Sequence, residues 1–299
     1  MEENGPMRKH AYLVIAHNNV NLLNRLITVL DDPRNDIFLH IDKKVADNFL
    51  KEINTDLKYS KLYFSERVDV HWGAYSQILS ELSLLRRATA EGTYAYYHLL
   101  SGVDLPIKSQ DKIHAFFDSI QGKELVQFQK PIISKEKLER VERYYWLQET
   151  DIRSRPVLGL IQRVLIKLQR SLRINRLSNT SLNFQMGSNW FSITDDLARY
   201  VLSESTRYLP FFKYSQCADE LFIQTIIINS PSFLSRLFKT SFDDAQDANM
   251  RFIQWVNHAP RDLTVEDFSA LANSPLLFAR KFNPGTDSEI IDKVLEHLT

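Results

Sequence analysis

The chain reads as an α/β protein with a largely parallel central sheet, and three observations point there. Short apolar runs alternate with amphipathic stretches through the first half, those runs end in polar residues, and no Gly/Ser-rich linker divides the 299 residues. Neighbouring parallel strands need crossover connections, which cover both faces of the sheet. Residues 11–17 (AYLVIAH) are a continuous apolar run of the kind a strand buried on both faces requires. A helical pattern follows through Leu22, Leu23, Leu26, Ile27 and Leu30. Residues 37–42 (IFLHID) give a second strand, 45–53 a helix, and Leu62, Tyr63 and Phe64 a third strand. Ile78, Leu79, Leu82 and Leu85 set a helix over 73–90, then 94–100 form a strand, 101–109 a loop and 112–120 a helix. Further helices are expected over 157–174, 195–203, 217–228 and 288–298. One compact domain is expected, behind an N-terminal extension over residues 1–10.

Composition narrows the function classes. Lys plus Arg and Asp plus Glu both number 37, so the formal net charge is zero. That argues against bulk electrostatic capture of nucleic acid, which needs an excess of basic residues. Cys217 is the only cysteine, so no internal disulfide forms and a reducing compartment suits the chain. No window approaches the roughly 20 apolar residues that span a bilayer, and the first ten residues have no apolar signal-type stretch. The expected location is the cytoplasm.

Several chemical signatures are missing: GxGxxG, GxxxxGK[ST], HExxH and any cysteine cluster. Neither a dinucleotide fingerprint, nor a P-loop, nor a zinc site is supported. Parallel sheets bind ligands at the carboxyl ends of their strands. His17, Asp42 and the loop 101–104 fall at such ends.

Seven strings then occur in a telling order: YLVIAH (12–17), HIDKK (40–44), VHWGAYS (70–76), LLSGVDLPIKS (99–109), GSNWFSIT (187–194), ADELFIQT (218–225) and LFARKF (277–282). Together they resemble the core-2/I-branching β-1,6-N-acetylglucosaminyltransferases, glycosyltransferase family 14, which also contains the peptide O-xylosyltransferases. The resemblance implies a GT-A-like fold and inverting transfer from a UDP-sugar without metal. It makes 11–122 the nucleotide-sugar half and 123–299 the acceptor and catalytic half. No D-x-D pair occurs anywhere, so the usual divalent-ion holder of metal-dependent sugar transferases is missing and no cofactor is expected.

Residue roles follow from the resemblance. Glu220 in ADE matches the base that deprotonates the acceptor hydroxyl; the plain alternative is a helix N-terminal acid complementing the macrodipole. Lys281 in ARKF and Arg261 in PRD match cations that stabilise the departing diphosphate, in place of a metal. Arg280, next to Lys281, points the opposite way if this stretch is a strand. Asp42 resembles a uridine-contacting aspartate and Trp72 an aromatic packed on the base, with His17 a weaker donor-side candidate. Asp104 and Trp190 are expected on the acceptor side, although an Asp beside Pro also serves plain turn chemistry. Residues 139–144 fall in the acceptor-contacting stretch, without an assigned role.

The partners expected are a UDP-sugar, UDP-GlcNAc by family precedent with UDP-xylose the alternative, and a carbohydrate acceptor. A bacterial-style role in assembling a surface glycan suits the chain. The rivals are a non-catalytic sugar-binding homologue and a glycoside hydrolase, which needs two opposed carboxylates. Finally, residues 153–176 carry seven Arg or Lys and no acid. On a helix with an apolar face, that composition suits peripheral contact with anionic lipid and a lipid-linked acceptor. The plainer expectation is the solvated face of a core helix.

Overall fold

The computed structural model describes residues 9–150, 152, 154–257 and 259–298. From the N-terminus, β1 (His10–Ala16) leads through α1 (Val20–Leu30) to β2 (Asn35–Ile41), α2 (Asp47–Lys51), β3 (Lys61–Phe64), α3 (Tyr75–Glu91) and β4 (Tyr96–Ser101). Next come β5 (Leu105–Pro106), α4 (Gln110–Ser119), β6 (Leu125–Val126), α5 (Lys135–Glu142) and α6 (Pro156–Ser171). Then follow β7 (Phe191–Thr194), α7 (Asp195–Phe212), α8 (Asp219–Ile228) and α9 (Pro231–Leu234). The chain closes with β8 (Arg251–Ile253), β9 (Trp255–Val256), β10 (Ala259–Pro260), α10 (Phe268–Asn273), β11 (Phe278–Arg280) and α11 (Glu289–Leu298).

Six strands make the central sheet in the order β3-β2-β1-β4-β7-β6, all running parallel except β7, which is antiparallel to both its neighbours β4 and β6. The sheet is mixed and mostly parallel, with helices on both faces. Side chains alternate along each strand. Leu13, Phe38, Leu99 and Ile193 face a core with Ile78, Leu82 and Leu85 of α3 and Leu197 and Val201 of α7. Tyr12, Val14 and Leu39 face the opposite core, against Leu26 and Leu30 of α1, Phe117 of α4 and Ile290 of α11.

A second sheet, β5-β11-β8, crosses the carboxyl edge of the first. Arg251 of β8 joins the two. Its guanidinium is buried and donates to the carbonyls of Asn249 (2.7 Å), Phe191 (3.0 Å) and Leu99 (3.5 Å) and to Ser192 Oγ (3.1 Å). It also lies 4.3 Å from the centre of the Phe278 ring on β11. One side chain therefore fixes β4, β7, β8 and β11 together.

The structure departs from the sequence reading in four places. Lys9 and His10, expected in the N-terminal extension, belong to the fold: His10 opens β1 and Lys9 pairs with Asp36 at 2.9 Å. The rest of that extension, residues 1–8, lies outside the described residues. Helix α7 runs to Phe212 rather than stopping at 203, because Ser205, Tyr208 and Phe212 continue its buried stripe and override weak local propensity. The short strands β5 to β10 are too brief to leave a periodic pattern. Most consequentially, α6 is not a core helix with a solvated polar face.

Its inward residues are Gln162, Ile166 and Gln169, while Val157, Leu160, Ile161, Val164 and Leu168 are exposed. The glutamines serve the chain beneath. Gln169 accepts from the Tyr144 amide (2.8 Å) and donates to its carbonyl (3.0 Å), and Gln162 accepts from the Leu147 amide (3.1 Å). Arg153, which opens the basic stretch, lies outside the described residues.

The Arg251 strut predicts its own removal. Arg251→Met leaves four interior acceptors without their donor and should destabilise the fold by about 3 kcal/mol or more. The midpoint of urea unfolding, with an unchanged slope, checks this.

Candidate active site

The parallel register brings the strand ends level: Ala16 is opposite Ile41, and Ile15 opposite Ser101. His17, Asp42 and Gly102 therefore leave the sheet side by side. His17 is exposed. Asp42 is nearly buried and accepts from the Lys44 amide (2.9 Å) and ammonium (3.1 Å). Arg67 holds the same turn by donating to the carbonyls of Ile41 (3.2 Å) and Asp42 (2.9 Å).

Arg280 closes β11 and Lys281 follows it, and the two side chains meet different partners. Arg280 turns inward, 4.2 Å from the Trp190 ring centre and 3.5 Å from Asp104. Lys281 turns outward and pairs with Asp262 at 3.3 Å. Arg261 sits on the adjacent segment, bidentate on Asp267 at 2.8 and 2.5 Å. The Leu263 amide donates to the Lys281 carbonyl (2.9 Å), and the Phe282 amide to Val103 (2.9 Å). Both cations thus stand beside the loop that follows β4.

Asp104 and Trp190 prove to be anchors. The Asp104 carboxylate is 1% exposed and accepts from the Ser101 amide (2.8 Å) and hydroxyl (2.6 Å). Trp190 is buried beneath Arg280. Neither presents the open surface that the acceptor-side expectation requires; together they hold Arg280, and through it β11.

Glu220 lies in the first turn of α8, where the helix N-terminus favours a carboxylate. The approach to that helix is tightly set. Cys217, at φ 48°, donates its amide to the Gly73 carbonyl (2.7 Å), and Gly73 itself has φ 70°. Arg140 of α5 donates to Glu220 Oε2 at 2.7 Å and accepts at its carbonyl from the Gln216 amide (3.1 Å). The Gly187 amide donates to the Glu220 carbonyl (2.9 Å). No other residue fits at 187, since a Cβ there would stand 1.8 Å from the Gln127 carbonyl oxygen.

Two more carboxyls lie behind Glu220. Asp219 is 6% exposed and takes a hydrogen bond from Gln77 (3.1 Å); Glu81 of α3 is 2% exposed. Burial raises Asp219 to about 7, and the charge of Glu220 pushes the same way. Burial, then Asp219, raises Glu81 well above the carboxylate range. Of the three acids, Glu220 alone combines access to solvent with a cationic partner.

Beside this cluster opens a cavity of about 710 Å³, lined by Trp72, Gly73, Tyr145 and Gln216 and by Arg163 and Lys167 of α6. Trp72 is 60% exposed there. Among the described residues no group of three or more His, Cys, Asp or Glu is arranged to hold a metal ion. Sequence reasoning missed Arg140 as the partner of Glu220, and it missed the Asp219–Glu81 pair. Eighty and 138 positions separate those partners along the chain, so no local spacing could reveal them.

An accessible carboxylate beside a guanidinium, backed by buried acids whose neutral forms burial favours and with cations near the strand ends, is equipment suited to group transfer. A family model described as Branch, core-2/I-branching enzyme, matches residues 10–272, and the chain belongs to that family of glycosyltransferases. It is 23% identical over 314 residues to the human beta-1,3-galactosyl-O-glycosyl-glycoprotein beta-1,6-N-acetylglucosaminyltransferase, covering 96% of this chain and 69% of that one. It is 22% identical to the human N-acetyllactosaminide beta-1,6-N-acetylglucosaminyl-transferase, covering 92% and 68%. It is 20% identical to the Drosophila melanogaster xylosyltransferase oxt, covering 99% and 34%. Among solved structures, apo mouse xyloside xylosyltransferase 1 is similar with a TM-score of 0.34 and 14% identity over 76% of this chain and 84% of that one.

The buried aspartate carries a pH signature. Below about pH 4, near the ordinary Asp value, folded and unfolded chains are both protonated at this position. As pH rises towards about 7 the unfolded chain releases its proton first, so the stability owed to this group is lost over that window. Asp219→Asn should therefore gain on the parent between about pH 5 and about pH 8, by on the order of 1–3 kcal/mol. Urea midpoints across that range measure it; a difference that does not change with pH contradicts the protonated assignment.

Proposed function

We propose that the chain is an inverting, metal-independent glycosyltransferase that moves N-acetylglucosamine from UDP-GlcNAc to a carbohydrate hydroxyl. The observation that carries this reading is Glu220, half-exposed at a helix N-terminus and held by Arg140. The Glu220 carboxylate takes the proton from the acceptor hydroxyl. The freed oxygen attacks the anomeric carbon from the face opposite the leaving group. The bond to UDP breaks as the new glycosidic bond forms, and a single displacement inverts the centre. UDP departs with the bonding electrons, and Lys281 and Arg261 meet its charge. Asp42 and His17 lie where the nucleoside end of the donor would sit, and Trp72 offers its ring to the base. The expected setting is the cytoplasm, in the assembly of a surface glycan. The single cysteine supports a reducing compartment.

A non-catalytic sugar-binding role would leave Glu220 without a purpose, and mutation separates the two readings. Glu220→Gln should lower transfer by about 10²- to 10⁴-fold while UDP still binds. Undiminished transfer would remove Glu220 from the mechanism. Donor choice is read by offering UDP-GlcNAc and UDP-xylose in parallel and following released UDP.

Calorimetry in excess EDTA tests the cation site. UDP should bind with the chelator present, and Lys281→Ala should weaken it by about tenfold or more, the loss expected for a charge-assisted phosphate contact. Binding that needs added manganese would overturn metal independence.

A further inference from the structure

Helix α6 is built inside out for a water-soluble protein. Its buried side is held by glutamines, and its outward side carries Val157, Leu160, Ile161, Val164 and Leu168, continued by Leu172 just past the helix end. At about 100° per residue these six fall within about 120° of arc, one continuous stripe. Val157 is 69% exposed and Leu172 63%. A contiguous apolar face of this kind marks a place where something docks.

The charge beside the stripe says what docks. Arg163, Lys167 and Arg170 follow one another at i, i+4 and i+7 along one flank of the stripe, and Arg155 and Arg173 stand beyond its two ends. No Asp or Glu occurs between Arg155 and Arg176. Arg170 is held by Glu139, its Nε donating at 2.7 Å, so the row keeps its place while facing outward. An apolar stripe flanked by cations is the pattern of a helix lying in a lipid interface, its apolar face about 5–10 Å deep and its cations among anionic headgroups. No helix among the described residues is long and apolar enough to cross a membrane.

We propose that α6 docks this protein, lying flat, on an anionic phospholipid surface. The inference rests on α6 alone, whichever sugar the enzyme transfers. The stripe is separate from the cavity wall: Arg163 and Lys167 line the cavity, while Leu160, Val164 and Leu168 do not. Docking therefore brings the cavity mouth to the bilayer without occupying it.

The test is co-sedimentation of the full chain with vesicles of phosphatidylcholine alone or mixed with phosphatidylglycerol. The protein should bind the anionic vesicles, bind neutral ones at least about tenfold less, and release as salt is raised. Leu160→Gln/Val164→Gln/Leu168→Gln should lose about tenfold or more of vesicle binding with UDP binding and helical circular dichroism unchanged. Charge reversal by Lys167→Glu should weaken anionic-vesicle binding and leave the neutral-vesicle background unchanged. Equal binding of the triple variant and the parent, or no binding to anionic vesicles, overturns the proposal. So does light scattering that finds a dimer which the triple variant abolishes, because a second copy then covers the stripe.

Discussion

A buried guanidinium without a carboxylate partner is expensive, and the architecture depends on having solved that problem. Arg251 is enclosed where two sheets meet, and its terminal nitrogens donate to backbone carbonyls and one hydroxyl of β4, β7 and the residue pair leading into β8. The Phe278 ring covers one face of the cation. β11, which ends at Arg280 and leads into Lys281, is held to this strut through the Phe278 ring and its pairing with β8. Rigid placement of β11 in turn fixes the cations relative to the strand ends, so the chemistry of the edge inherits its geometry from the core.

The three acids around the start of α8 are sorted by environment. Glu81 and Asp219 are enclosed, and burial favours their neutral forms. Glu220 differs from them by exposure and by Arg140, although it adjoins Asp219 in sequence. Neighbouring carboxyls thus divide into an internal pair whose neutral forms burial favours and an accessible carboxylate beside a guanidinium. The glycine at 187 allows the chain before Trp190 to pass against Gln127 and reach the Glu220 carbonyl. That backbone contact holds Glu220 at its carbonyl, while Arg140 holds its carboxylate.

Much of this was legible in the sequence, and the parts that were not have a common cause. The strands and helices of the first half declare themselves because apolar periodicity is a local property, and the strand-end placement of His17 and Asp42 follows from it. What stayed hidden were relations between distant positions: Arg140 with Glu220, Glu81 with Asp219, Arg251 with four strands. The structural partner shared by Asp104 and Trp190, Arg280, was hidden for the same reason, since it lies far along the chain. The periodicity of α6 was plain, but periodicity does not say which face turns inward. The glutamines that reverse the usual order do so by satisfying the backbone of residues 144–147.

The ion pairs of Lys281 with Asp262 and of Arg261 with Asp267 carry a kinetic consequence. This quartet sums to zero charge, in a protein whose acids and bases also balance. Such an edge casts little long-range field, so an anionic ligand is not drawn in from a distance and arrives by ordinary diffusion. Under the proposed donor site, selection then falls at close range, where a diphosphate would match two cations already held by their own counter-ions. Simple anions that cannot span both gain little by displacing either aspartate, and the ionic strength of the surroundings has correspondingly little hold on the encounter.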